Sequence, residues 1–141
     1  MFRVTDIDHI VLRTSDAESL VRFYVEVLGC PVERDRRDIG LIQLRAGRDL
    51  IDIVPVDSEL GKLGGRAPES EGKNLDHFCL TVAPFDTDAV AEHLSRHGID
   101  CPSPSRRYGA RGFGLSVYIQ DPDGNTVELK GPDGEFVHDS A

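Results

Sequence analysis

At 141 residues, with 39% hydrophobic and 29% charged side chains, the chain has the length and balance of one globular domain able to bury a sizeable interior. Its net charge of −9 argues against a broad nucleic-acid surface, and no apolar run approaches the roughly 20 residues that span a bilayer. Neither nucleic acid nor membrane is expected as a partner. The Met1–Asp6 stretch lacks a basic region followed by an apolar one, which leads to the expectation of a cytoplasmic protein.

Cys30, Cys79 and Cys101 are odd in number and contain no CxxC pair, so neither a disulfide framework nor a thiolate zinc site is indicated. They read as reduced, buried, small apolar residues. Of the two arginine clusters, Arg34, Arg36 and Arg37 read as solvated surface charge, whereas Arg106, Arg107 and Arg111 are able to make local anion contacts.

Taken in order, residues 5–13 alternate, with Ile7, His9 and Val11 on one face and Asp8, Ile10 and Leu12 on the other, which predicts a first strand. Ser15-Asp16-Ala17-Glu18 has the capping-box pattern, in which the Ser15 hydroxyl and Glu18 carboxylate satisfy free amides at a helix start. Ala17, Leu20, Val21, Tyr24, Val27 and Leu28 then recur at helical spacing, and Gly29 can take the left-handed conformation that ends a helix over about 16–28. Three short strands follow at about 31–36, 39–45 and 50–54, the last two joined by a hairpin turn at Ala46-Gly47-Arg48-Asp49. Residues 57–73, rich in Gly, Glu, Lys and Pro and without a period, read as a flexible connector that could also close over a site.

The second half repeats the plan: a strand at about 74–82, a helix capped by Asp86 and ended after His97 by Gly98, then strands near 99–103, 115–120 and 126–130. Asp121-Pro122-Asp123-Gly124-Asn125 is the tight turn between the last two strands, since Pro fixes one turn dihedral and Gly-Asn tolerates positive φ. His93 and His97 stand four apart on the second helix without an acidic motif and read as exposed helix residues. The expected organisation is a first βαβββ module at 5–56, the connector at 57–73, a second module at 74–131 and a tail at 132–141, where His138 is incidental.

The repeat also carries the candidate chemistry. Ile7-Asp8-His9-Ile10 and Leu75-Asp76-His77-Phe78 place an Asp-His pair in an apolar strand at matched positions. In the last strand of each module an acid is flanked by apolar residues: Asp52 in Leu50-Ile51-Asp52-Ile53-Val54 and Glu128 in Val127-Glu128-Leu129. A carboxylate in such a setting is costly unless paired, hydrogen-bonded or bound to metal. Two imidazoles and two carboxylates form a ligand set suited to divalent Fe, Mn, Co, Ni or Zn, with positions left open for water or substrate.

On these residues, together with Phe23-Tyr24 through Val27-Leu28-Gly29 and Val117-Tyr118-Ile119-Gln120-Asp121-Pro122-Asp123-Gly124-Asn125-Thr126-Val127-Glu128-Leu129, the sequence resembles the vicinal oxygen chelate superfamily. That group contains glyoxalase I, fosfomycin-resistance proteins, extradiol dioxygenases and bleomycin-binding proteins. The resemblance covers about residues 5–131. It implies an α+β fold in which two βαβββ modules form a cup-like, eight-stranded curved mixed sheet with helices outside, and one divalent metal ion in the cup. His9, His77 and Glu128 match the three common ligand positions, and Asp52 matches the place where glyoxalase I enzymes carry a fourth ligand, a glutamate. The resemblance also implies a homodimer, with the cup formed within one chain or across two.

Such a site suggests Lewis-acid chemistry on a small molecule chelated through adjacent oxygens. Glu128 or Asp52 would move the proton, Tyr118 would hydrogen-bond a substrate oxygen, and Arg111, in a mobile rim at 106–114, would hold an anionic substrate group. The leading expectation is a metal-dependent glyoxalase-like lyase or isomerase. The alternatives are an extradiol-type Fe(II) dioxygenase, a fosfomycin-type resistance enzyme and a non-catalytic drug-binding resistance protein. Extradiol enzymes usually add an acid–base histidine, and no histidine lies between Ile10 and Asp76.

Overall fold

A computed structural model describes residues 1–132. Two compact units emerge, Met1–Lys73 and the chain from Asn74 onward. The first contains β1 (His9–Thr14), α1 (Ala17–Arg22), β2 (Val32–Arg36), β3 (Leu41–Ala46) and β4 (Asp49–Pro55). The second contains β5 (Phe78–Thr81), α2 (Thr87–Arg96), β6 (Ser105–Gly109), β7 (Gly112–Gln120) and β8 (Thr126–Lys130). Each unit is βαβββ, as the repeat predicts, and the strands form two four-stranded mixed sheets, ordered β1-β4-β3-β2 and β5-β8-β7-β6. In each, the first strand pairs parallel with the last and the other pairs are antiparallel.

The period-2 pattern gives each sheet one apolar face. In the first unit Leu12, Ile42, Leu44, Ile51 and Ile53 are buried, as are Leu20, Val21 and Tyr24 of the helical segment, with α1 lying against β4. In the second, Val117, Ile119, Val127 and Leu129 are buried together with Phe85 and the α2 residue Leu94. The opposite faces carry His9, Asp52 and Gln43 in one unit and Glu128, Lys130 and Ser116 in the other.

Several local expectations shift. Strand β1 starts at His9 rather than residue 5 because its pairing with β4 begins at His9 opposite Leu50. For the same reason β5 starts at Phe78, opposite Val127. The first helix is capped by Asp16, not by a Ser15–Glu18 box: Asp16 Oδ1 accepts the Ser19 amide at 3.0 Å, while Thr14 Oγ1 accepts the Asp16 amide. After Arg22 the helix widens into a π turn over Phe23–Val27, and it closes through a Cys30 N–H to Tyr24 carbonyl bond across Gly29 at φ 71°. No strand forms at 99–103, because Pro102 and Pro104 supply no amide donors, and the pairing begins at Ser105.

The stretch 106–114, expected as a mobile rim, is a regular hairpin of β6 and β7 turning at Ala110-Arg111. Tyr108 and Phe113 meet edge to face at 5.0 Å, and the Arg106 guanidinium lies 3.6 Å over the Phe113 ring. The connector also has structure. It contains a 3₁₀ turn at Gly61–Gly64, and the Arg13 guanidinium donates to the carbonyls of Gly61, Gly65 and Arg66. Composition shows such a segment only as linker-like, because its tether comes from a distant strand. Among the described residues no helix is long and apolar enough to cross a membrane. Beyond Pro132, the expected tail and His138 lie outside the described residues.

Candidate functional site

Each unit builds one histidine–carboxylate pair on the polar face of its sheet. In the first, Asp52 sits on β4 opposite Val11 of β1 and Gln43 of β3. It is only 4% exposed, and the Gln43 amide donates to its two oxygens at 3.2 and 3.3 Å. His9 Nε2 stands 4.0 Å from Asp52 Oδ2. In the second unit, Glu128 sits on β8 between Cys79 of β5 and Tyr118 of β7. The buried Ser116 hydroxyl donates to Glu128 Oε2 at 2.6 Å, leaving Oε1 at 3.2 Å from His77 Nε2.

The other ring nitrogen is handled identically in both copies. His9 Nδ1 lies 2.7 Å from Asp8 Oδ1, and His77 Nδ1 lies 2.7 Å from Asp76 Oδ2. An ionised carboxylate only accepts, so Nδ1 carries the hydrogen and a neutral ring presents its Nε2 lone pair to the strand carboxylate. Two electron-rich atoms facing each other call for a cation between them, either a proton or a metal ion. In the absence of metal both carboxylate neighbours favour a proton on the ring. The hydrogen bond to Asp8 and then the charge of Asp52 raise the His9 pKa, and the hydrogen bond to Asp76 and then Glu128 raise that of His77 against the opposing effect of burial.

The donor chemistry therefore fits a divalent ion: an imidazole oriented by an outer carboxylate, beside an inner carboxylate fixed by a neutral donor. Each unit offers two such side chains. Among the described residues no group of three or more His, Cys, Asp or Glu side chains is placed to hold an ion.

Tyr118 stands beside the second pair, its ring 5.6 Å from that of His77 and edge to face with it. Arg111 occupies the β6–β7 turn and donates from Nη1 to Thr81 Oγ1 at 3.0 Å. All three cysteines are free, but only Cys30 is buried as expected; Cys79 is exposed and Cys101 half-buried. Cys79 shares the face of Glu128, and partial burial together with that carboxylate pushes its thiol up to about 11, so it stays protonated at neutral pH. The rings of His93 on α2 and His97 at its C-cap meet tilted, 4.9 Å between centroids.

The sequence reading missed the supporting residues Gln43 and Ser116 and gave Asp8 and Asp76 no task. The signals were present: an Asp precedes the histidine in both copies, and Ser116 is two residues before Tyr118 on the same strand face. What was absent was the strand register that sets Gln43 and Ser116 against particular carboxylates.

Comparison with known proteins agrees with this architecture. The profile of the Glyoxalase/Bleomycin resistance protein/Dioxygenase superfamily matches residues 6–129. The chain is 32% identical over 123 residues to virulence protein STM3117 of Salmonella typhimurium, covering 87% of this chain and 81% of that protein. The crystal structure of STM3117 superposes with a TM-score of 0.73 over 93% of this chain and 99% of that one, at 28% identity. This chain is also 29% identical to the glyoxalase domain-containing protein RDO1 of Mycosarcoma maydis, over 89% of this chain and 68% of that protein. Metapyrocatechase of Geobacillus stearothermophilus is 26% identical over 96% of this chain, which spans 40% of that longer protein. With the paired βαβββ units and a profile match over most of its length, the chain belongs to the Glyoxalase/Bleomycin resistance protein/Dioxygenase superfamily.

Proposed function

We propose that the chain is a divalent-metal-dependent, glyoxalase-like lyase or isomerase acting on a small oxygenated metabolite. One ion, Ni, Co, Mn, Zn or Fe, is held by His9, His77 and Glu128 with Asp52 as fourth or water-mediated ligand, the pairs coming from one chain or from two copies in a homodimer. The observation that carries the reading is the duplicated arrangement in which Asp8 and Asp76 take Nδ1–H and turn Nε2 of His9 and His77 toward a strand carboxylate.

Bound there, the ion would supply Lewis-acid stabilisation of negative charge developing on substrate oxygen. The protein's part is proton transfer and orientation. Glu128 is fixed through one oxygen by Ser116 and would use the other, which faces His77, to bind the ion or accept a proton, while Asp52 accepts from Gln43 through both of its oxygens. Tyr118, whose ring meets that of His77 edge to face, would donate its hydroxyl to a substrate oxygen. The extradiol Fe(II) reading uses the same ligands and is supported by the similarity to metapyrocatechase. It ranks second because the long stretch between His9 and His77 offers no further acid–base histidine.

The test is metal analysis of protein purified without added metal, then titration with divalent ions and assays with hemithioacetals and catechols. Stoichiometric metal and hemithioacetal turnover, both lost in His77→Ala, are expected. A protein that neither contains nor binds divalent ions refutes both enzymatic readings.

A further inference from the structure

Beside Glu128 the second unit encloses a cavity of about 260 Å³ whose wall includes Thr81, Arg111, Glu128 and Lys130. Lys130 ends β8 and is only 6% exposed, yet it lines this cavity. Room for it is made by glycine: a Cβ on Gly109 would stand 3.1 Å from Lys130 Cε, and one on Gly114 3.1 Å from Nζ. The β6–β7 hairpin thus leaves a groove the width of a lysine stem. Arg111, at the tip of the same hairpin, reaches back to Thr81, which pairs with Lys130 across β5 and β8. Among the described residues neither cation forms an ion pair with a carboxylate.

A buried ammonium is costly unless it is paired. Two cations and a hydroxyl line one cavity against the single carboxylate of Glu128, whose oxygens already face Ser116 and His77, so a further negative charge is left to come from outside. We infer that Lys130, Arg111 and Thr81 form an oxyanion anchor, one that takes the carboxylate or phosphoryl-type end of a short bifunctional substrate. Lysine contributes a point charge, and the planar guanidinium adds directed donors suited to such a group.

The placement sets the substrate's length. Lys130 is two residues beyond Glu128 on the same face of β8, a separation of about 6.6 Å along a strand. A molecule anchored at Lys130 therefore presents its reacting oxygens to Glu128 only if a few bonds separate them from its anionic end. That second half of the inference rests on Glu128 being part of the metal site, as proposed above; the anchor itself does not.

The experiment uses chelator-treated protein titrated with inorganic phosphate and, separately, with acetate, followed by amide chemical shifts and calorimetry. At least one anion is expected to bind the parent and to shift amides around 79–81, 109–111 and 130–131. Lys130→Met, which keeps the stem, and Arg111→Gln, at the hairpin tip, should each weaken that binding about tenfold. Preference for phosphate or for acetate then identifies the head group. Should Lys130→Met fail to fold, Arg111→Gln on its own decides the matter. Glu128→Gln, which removes a nearby negative charge, should bind the anion at least as tightly as the parent while losing divalent-metal affinity.

The inference is overturned if neither anion perturbs the cavity amides, or if a folded Lys130 or Arg111 variant binds as the parent does. Failure of metal binding with the anion response intact would remove the metal reading and leave the anchor standing.

Discussion

Replacing Ser116 by Ala isolates the support of one proposed ligand. The Ser116 hydroxyl is fully buried and donates at 2.6 Å to Glu128 Oε2, on a residue that is itself 6% exposed. Alanine removes a single oxygen atom, so packing changes little and the loss is that of a hydrogen bond to a charged, buried acceptor. Such bonds contribute about 1.5–3 kcal/mol, and the abandoned oxygen finds no water to replace it. At this chain length that corresponds to a melting temperature lower by roughly 5–10 °C. Metal affinity should fall about tenfold or more, because the free Glu128 carboxylate rotates away from the position facing His77. Denaturant unfolding of metal-free protein measures the first effect and calorimetric metal titration the second. A variant within about 0.5 kcal/mol of the parent, the contribution of one weak hydrogen bond, and with unchanged metal affinity would show that Ser116 does not hold Glu128.

Glu128→Gln should weaken metal binding far more than Asp52→Asn, which should retain much of the affinity but alter turnover; the reverse order in parallel metal titrations would refute the assignment of roles. In metal-free protein His77 should titrate above 6.5, and Asp76→Asn, which removes its largest raising influence, should bring it down, as followed by imidazole chemical shifts. Because the folded pKa is raised, the stabilisation from protonated His9 and His77 is complete below about 6.5 and is lost as pH rises through the raised values; metal, which competes with that proton, should bind more tightly over the same rise. Arg13→Ala removes the donors that tie the connector at Gly61, Gly65 and Arg66, and should speed hydrogen exchange and proteolysis there while leaving both sheets intact. Leu20→Ala, at a fully buried helix position, should cost about 2–5 kcal/mol in denaturant unfolding without changing metal stoichiometry.

The repeat, the βαβββ order and the four candidate ligands were legible in the sequence, because each rests on a local rule. Alternation assigns faces, Gly29 and Gly98 end helices, Asp121–Asn125 turns a hairpin, and an acid among apolar neighbours in a strand demands a reason. The Asp121 side chain shows how local such information is: it accepts the amides of Asp123 and Asn125, residues within the same five-residue turn. Tertiary structure decided what depends on register between strands distant in the chain. Only the pairing of β3 with β4 sets Gln43 on Asp52, and only β7 with β8 brings Ser116 within reach of Glu128. The same holds for Arg13, whose carbonyl partners belong to a segment with no periodicity of its own, and for Lys130. In sequence Lys130 is one more polar residue at the end of a strand. Its burial follows from two glycines on a neighbouring hairpin, and no local pattern reports a space left by side chains that are missing elsewhere.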